Sequence, residues 1–376
     1  MKLHRRHWLA LGLAAPAIAP RSVRAEPPIV AAVPATPGAR VTPVLEGLEN
    51  PWAIAWLPDG TALVTERPGR LRRVVEGVLD PRPVEGVPQV LALGQGGLLD
   101  LALDPGFAGN GYIYLTHSAG VREANRTTVT RARFDGTRLT EVQPILAVTP
   151  DKAGGAHFGS RLLFLPDASL LVSVGDGGNP PARIGVKLSR LHAQDVHNEI
   201  GKVLRIDRDG RPVPNPPFEA NPKLFSIGHR NIQGLAWDRA RQRIWATEHG
   251  SQGGDELNLL APGNNHGWPL ATHSVEYGSG NAISPHRSLP GMTDPVLVWT
   301  PVLAASGLAV WQGDLFAGGL RDQGIRRVRL DGAGRVVGQD RINVGARVRD
   351  VRVGPDNALY ALTDSGNGRL LRITLG

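Results

Sequence analysis

Arginines, a histidine and a glycine-broken acidic loop carry the chemistry legible in this chain. Arg347 and Arg349, in "ARVRDV", alternate on what reads as one strand and so point the same way. Two guanidinium groups aimed together repel unless an anion lies between them, and the planar arginine fork suits a carboxylate. Arg230 and Asn231, in "GHRNIQG", offer the same chemistry, or a brace between neighbouring elements. His157, in "GGAHFGSRL", is either an ordinary loop histidine or a base, since neutral imidazole is the commonest proton acceptor near pH 7. Gln95, in "GQGGLLD", adds an amide or serves a turn.

The stretch "TEHGSQGGDELN", residues 247–258, supplies Glu248, Asp255 and Glu256 as hard oxygens, with Gly250 free to turn carbonyls toward a guest. Carbonyl and carboxylate oxygens on an irregular loop suit Ca²⁺ better than a transition metal. The spacing lacks the regularity of an EF-hand, so a solvated acidic loop is the competing reading. Other chemistries are missing their motifs: the sequence has no GxGxxG after a strand, no P-loop, no HExxH and no GxSxG. With no cysteine, disulfides, thiolate nucleophiles and Cys-ligated zinc are excluded.

These residues need a scaffold. Arg5-Arg6, the apolar run from Trp8 to Ala19 and the small residues Val23 and Ala25 read as an export signal of twin-arginine type over residues 1–25. That run is too short to span a bilayer, so the mature protein is expected to be soluble, without stable membrane insertion, and periplasmic or secreted. Removing the signal takes five cations and no acid, and the formal charge falls from +8 to +3. A charge that small makes no case for nucleic acid. Residues 26–40, "EPPIVAAVPATPGAR", hold four prolines and no periodicity, and are expected to be a flexible lead-in. The sequon at Asn125-Arg126-Thr127 is read as chance.

From residue 41 to 376 helical periodicity is almost absent, and glycine and proline punctuate short apolar alternations. Six segments are related: "AIAWLPDGTALVTE", "DLALDPGFAGNGYIYLTH", "RLLFLPDASLLVSVGD", "GLAWDRARQRIWATEH", "GLAVWQGDLFAGGLR" and "DVRVGPDNALYALTD". Each reads as strand, tight turn, strand, and several continue into a third strand. Six such units predict an all-β domain, a six-bladed β-propeller of four-stranded blades, over a β-sandwich with coincidental turns. "RVTPVLEGL", near residue 40, is positioned to pair with the last blade and close the ring.

The repeats also fix a phase. Aligned on Trp56, Leu103, Phe164, Trp237, Val310 and Val353, the chain places Gln95, His157, Arg230, Asn231, Arg347 and Arg349 four to eight residues before their anchors. The antiparallel second strands return to the same end, carrying Glu66, His117, Asp176, Glu248-His249, Arg321 and Asp364. One end of the axis is therefore predicted to be a polar mouth, which on a glycine-rich β scaffold reads as a site.

In these residues the chain resembles the soluble PQQ-dependent sugar dehydrogenases, the glucose/sorbosone dehydrogenase family, and within it the aldose sugar dehydrogenase branch. The resemblance covers nearly all of the mature chain and is most specific in "GQGGLLDLALDPGF", "HFGSRLLFLPD", "GHRNIQGLAW" and "TEHGSQGGDELN…NNHGWP". It implies PQQ lying over the axis, contacted by Gln95, Arg230, Asn231, Arg321, Arg347 and Arg349. It implies Ca²⁺ on the backbone carbonyls of Gly250 and Ser251, with Asp255 and Glu256 among the acids around the calcium loops. His157 would take the proton of a sugar's C1 hydroxyl while hydride passes to the quinone, giving a lactone, and electrons would go on to an external acceptor. The chain departs from the family at Ser251 and Ile232, where proline is usual, at Arg321, where lysine is usual, and in a short fifth repeat. Two other readings share the scaffold: a calcium-dependent propeller lactonase, which gives the arginines no task, and a non-catalytic binding propeller, in which His157 is dispensable.

Overall fold

The computed structural model describes residues 33–376, so the export signal and the first part of the lead-in lie outside the described residues. Six four-stranded antiparallel sheets form the blades, at residues 51–79, 98–147, 162–227, 232–299, 305–343 and, for the sixth, 348–374 with 40–48. The expected all-β, six-bladed propeller is what the chain forms. The aspartates of the repeat explain its tight turns. Asp59, Asp167 and Asp356 each accept the backbone N–H two residues on, at 2.9, 3.0 and 3.1 Å, fixing the hairpin between the first and second strands.

Second strands such as Ala62–Glu66 and Leu170–Val174 are buried along their whole length. They are near-continuous apolar runs because each blade is covered on both faces. The core is accordingly divided into six clusters, each joining one blade to the next. Trp245 and Trp299 of blade 4 meet Leu308 and Leu315 of blade 5, for example, and Ile54 and Val64 of blade 1 meet Leu362 and Leu370 of blade 6. No blade can bury its faces alone, so the ring must close. It closes through Arg40–Leu48, which pairs with Gly368–Thr374 from Arg40↔Thr374 to Leu48↔Gly368.

Ahead of that strand the lead-in is anchored rather than flexible from residue 34. Thr36 N–H donates to the Arg341 carbonyl and Arg341 N–H to the Pro34 carbonyl, both at 2.9 Å. The outer strand Val336–Asn343 of blade 5 otherwise ends in unpaired backbone groups, and the lead-in satisfies them.

The axis is filled by charge rather than by apolar side chains. Arg161 of blade 3 lies between Asp100 of blade 2 and Asp350 of blade 6, at 3.3 and 3.0 Å, and Arg352 bridges the same two carboxylates at 2.9 and 3.0 Å. The Arg161 guanidinium also stacks 4.0 Å from the Trp52 ring. Blade 5 contributes Gly307 here because a Cβ would collide with Asp350 Oδ1. Two long connections reach the predicted mouth: residues 175–201 of blade 3, and residues 261–296 of blade 4. The second climbs the outer edge of blade 3, where Ile227 N–H donates to Asn264 and His266 N–H to Ile227.

Candidate functional site

His157 enters the mouth on a backbone with φ +50°, a left-handed conformation rare outside glycine. Its neighbours hold it there: its N–H donates to Gln95 Oε1 at 2.8 Å, and its carbonyl packs against Gly175, where a Cβ would collide with it. The ring Nδ1 lies 2.6 Å from Asp176 Oδ1. Asp176 is 0 % exposed and takes two further donors, Gly178 N–H on Oδ1 at 3.0 Å and Trp268 Nε1–H on Oδ2 at 2.9 Å. Burial and then Arg230 push the His157 pKa below the ordinary imidazole value, with Asp176 opposing. The ring is thus neutral at pH 7 with Nδ1–H donated to Asp176. Nε2, which has no hydrogen-bond partner among the described residues, is left to take a proton.

Beside it a cavity of about 280 Å³ opens on the axis, lined by Trp52, Arg67, Gln95, His249, Arg347, Arg349 and Asp364 among others. Asp364 is shared by Arg347 and Arg349, each at 2.9 Å. Burial opposes its charge, but the two arginines outweigh that and hold its pKa at about 2. Three arginines against one aspartate leave two uncompensated positive charges, which is a site for an anion. Arg349 is 8 % exposed and also reaches Gln233 Oε1 at 3.2 Å, whereas Arg347 is exposed. A desolvated charge-assisted contact is worth more than a wetted one. Arg349→Gln is therefore expected to weaken binding of a tricarboxylate anion by about 10–100-fold, and Arg347→Gln by under about fivefold, read by fluorescence titration. Equal losses would refute this ranking.

Arg230 and Asn231 do not line this cavity; they pack behind it, against His249 and Gly159, which do. Arg230 Nη1 donates to the His249 carbonyl at 3.1 Å and Nη2 to Asn179 Oδ1 at 2.7 Å, while its Nε has no partner among the described residues. Asn231 Oδ1 accepts Gly159 N–H at 3.0 Å, tying blade 4 to the His157 segment. Arg321 is different: the second strand of blade 5 stops at Gly319, Leu320 lines the cavity, and Arg321 is exposed beyond it.

Glu248 turns inward and organises this pair. Its Oε1 accepts the N–H groups of Arg230 and Asn231, and its Oε2 is bound by His229 Nδ1 at 3.0 Å and Asn258 Nδ2 at 3.3 Å. The loop that follows holds Gly250 where a Cβ would collide with the Gly253 and Gly254 carbonyls, so oxygens crowd this point as a hard cation requires. Ser251 donates its N–H to Ser274 Oγ at 3.1 Å and leaves its own hydroxyl buried without a partner among the described residues. Asp255 and Glu256 do not share a site. Both belong to the strand Asp255–Leu260, on which adjacent side chains face opposite ways. Asp255 spends its oxygens on Gly250 N–H at 2.7 Å and on Leu303 and Ala304 N–H at 2.6 and 2.7 Å, while Glu256 sits opposite Glu248 and accepts from Asn258 at 3.1 Å. Asp255 and Glu256 therefore do not join Gly250 and Ser251 in one set of four around a single point. Among the described residues no group of three or more histidine or acidic side chains is placed to hold a metal.

A family model described as glucose/sorbosone dehydrogenase matches residues 48–372. The chain belongs to this family. It is 36% identical to the aldose sugar dehydrogenase YliI of Escherichia coli K12, over 91% of this chain and 94% of that protein. It is 27% identical to the quinoprotein glucose dehydrogenase B of Acinetobacter calcoaceticus, over 86% and 84%. The solved PQQ-bound form of an aldose sugar dehydrogenase from Streptomyces coelicolor superposes with a TM-score of 0.74 at 30% identity, over 90% of this chain and all of that one. Membership in the family supports a sugar dehydrogenase, an oxidoreductase, as the activity of this protein.

Several side chains of the mouth escape sequence reasoning. Arg67 lies one residue past Glu66, and following each second strand one step further would have reached it. Trp52 opens the first inner strand without a polar group to signal it. Asn179 and Trp268 arrive on long connections whose path no periodicity encodes. Two predicted exit residues, Glu66 and His117, are instead absorbed within their blades, by Arg70 and Arg72 and by Thr130.

Proposed function

We propose that this protein is a PQQ- and Ca²⁺-dependent dehydrogenase that oxidises the C1 hydroxyl of aldose sugars to the lactone and passes the electrons to an external acceptor. The observation that carries the reading is a neutral histidine base set beside a cavity with two uncompensated arginine charges. The residues present fit the cofactor. Three carboxylates of PQQ match Arg67, Arg347 and Arg349, with His249 Nε2 in the lining and Arg230 Nε behind it both buried and without a partner among the described residues. Gly250 and Ser251 would hold Ca²⁺ through their carbonyls. When bound, the pair supplies a quinone that accepts hydride and a Lewis acid that polarises it.

The protein's own work is then limited and specific. Gln95 and the arginines position the anion, and His157 Nε2 removes the C1 hydroxyl proton as hydride leaves the same carbon. Asp176 stabilises the imidazolium that results. No helix of the described residues is long and apolar enough to cross a membrane, and we place the enzyme outside the cytoplasm on the strength of residues 1–25.

The test is reconstitution. Protein lacking residues 1–25 is expected to reduce an artificial dye with an aldose only when both PQQ and CaCl₂ are added, and to stop on chelation. Turnover without PQQ, or no binding of PQQ to the apoprotein, would overturn the reading.

A further inference from the structure

Trp268 belongs to neither of the strands that build the mouth. It is carried by the climbing connection of blade 4, where its N–H donates to the Gly228 carbonyl at 3.0 Å and its own carbonyl accepts Gln194 Nε2 at 2.8 Å. The indole is buried and does two things at once. Its Nε1–H donates to Asp176 Oδ2 at 2.9 Å, and its ring lies 5.5 Å from the Arg230 guanidinium. Asp176 in turn holds His157, and Arg230 donates to the carbonyl of His249, which lines the anion cavity.

We propose that Trp268 is the positioning residue that locks the His157–Asp176 pair of blade 3 to Arg230 of blade 4, so that base and anion fork keep one fixed geometry. The role of His157 as base rests on the function proposed above; the coupling itself does not. The asymmetry at Asp176 supports it. Oδ1 has two donors, His157 and Gly178, but the indole is the donor to Oδ2 among the described residues. Without the indole N–H, a buried carboxylate oxygen is left unpaired and its negative charge is met more fully by a protonated His157. The charged and titratable groups acting on His157 are Asp176, Arg230, Lys152 and His249, and the substitution leaves all four in place.

Trp268→Phe keeps the ring under Arg230 and removes only the donor. In the apoprotein, ¹H–¹⁵N histidine spectra are expected to show the His157 titration midpoint raised by about 0.5–1 pH unit. Trp268→Leu should raise it equally and also weaken PQQ binding by about 3–10-fold, since the face beneath Arg230 is lost. A midpoint within 0.2 units of the parent value in folded Trp268→Phe, on the same order-of-magnitude scale, would overturn the proposal. A second measurement needs no variant: the Trp268 indole N–H resonance should move with the His157 titration, and a flat trace would equally overturn it. The histidine and indole titrations are made without cofactor, so a failure of the dehydrogenase assignment would leave them intact.

Discussion

Replacing His157 with asparagine is expected to lower kcat by about 10²–10⁴-fold while PQQ affinity changes by less than about threefold. Asparagine is the informative choice because it tolerates the φ of +50° that His157 adopts, whereas alanine would add backbone strain. The N–H to Gln95 survives, the side-chain amide can still donate to Asp176, and only the proton acceptor is lost. Steady-state dye reduction at saturating PQQ reads kcat, and fluorescence titration reads affinity. A variant that keeps kcat within tenfold of the parent would remove His157 from the chemistry. The same ring sets the acid limb of the parent enzyme. Its neutral form is the active one, so activity is full above its pKa and falls as pH drops through it. Burial and Arg230 lower that pKa, so the limb of kcat/KM is expected below the ordinary imidazole value of about 6.5.

How far the site could be read from sequence follows from what positions each residue. Inner strands of equal phase deliver Gln95, Arg347 and Arg349 to one level, so counting from the turn was enough to gather them on the cavity. The same count places Arg321 at the mouth, but the strand beneath it ends two residues earlier, and Arg321 is exposed and does not line the cavity. Asp255 and Glu256 were grouped as loop acids, although "DELNLL" alternates as a strand and a strand sends neighbours to opposite faces. The lead-in offered only prolines and no pattern, and its anchoring depends on a free edge in blade 5 some three hundred residues away. Trp268 and Asn179 depend on how two long connections travel, which is a property of packing between blades and is not written in local periodicity. Charges inside apolar runs were the signal left unused. Asp100 in "GLLDLAL" and Asp350 in "RDVRV" stand where a propeller strand wants to be dry, and both turn into the axis.

Asp100→Ala is for that reason expected to destabilise the fold by about 3–5 kcal/mol, measured by urea denaturation. Asp100 is 0 % exposed and holds Arg161, Arg352 and the Leu162 N–H, the last at 2.7 Å. Burial works against the charge of Arg352, yet Asp350 and Asp100 outweigh it and raise its pKa, so the ion stays charged at any working pH. Deleting one carboxylate leaves Arg161, whose side chain is 2 % exposed, to share Asp350 with the partly exposed Arg352, and an undercompensated buried charge costs far more than the intact pair contributes. The exposed pair Arg335–Asp331 is the control, because water screens it and its loss should leave the midpoint unchanged. The plug also supports the cavity above it. Arg161 Nε donates to the Gln233 carbonyl at 2.5 Å and Nη2 to the Arg349 carbonyl at 3.1 Å, the two residues whose side chains meet over the cavity floor. An Asp100→Ala protein that remains folded should therefore bind PQQ more weakly although Asp100 does not line the cavity. A loss of stability below about 1 kcal/mol would mean that water reaches the axis and solvates the freed arginines, and the charges there would then be bystanders to both the fold and the site.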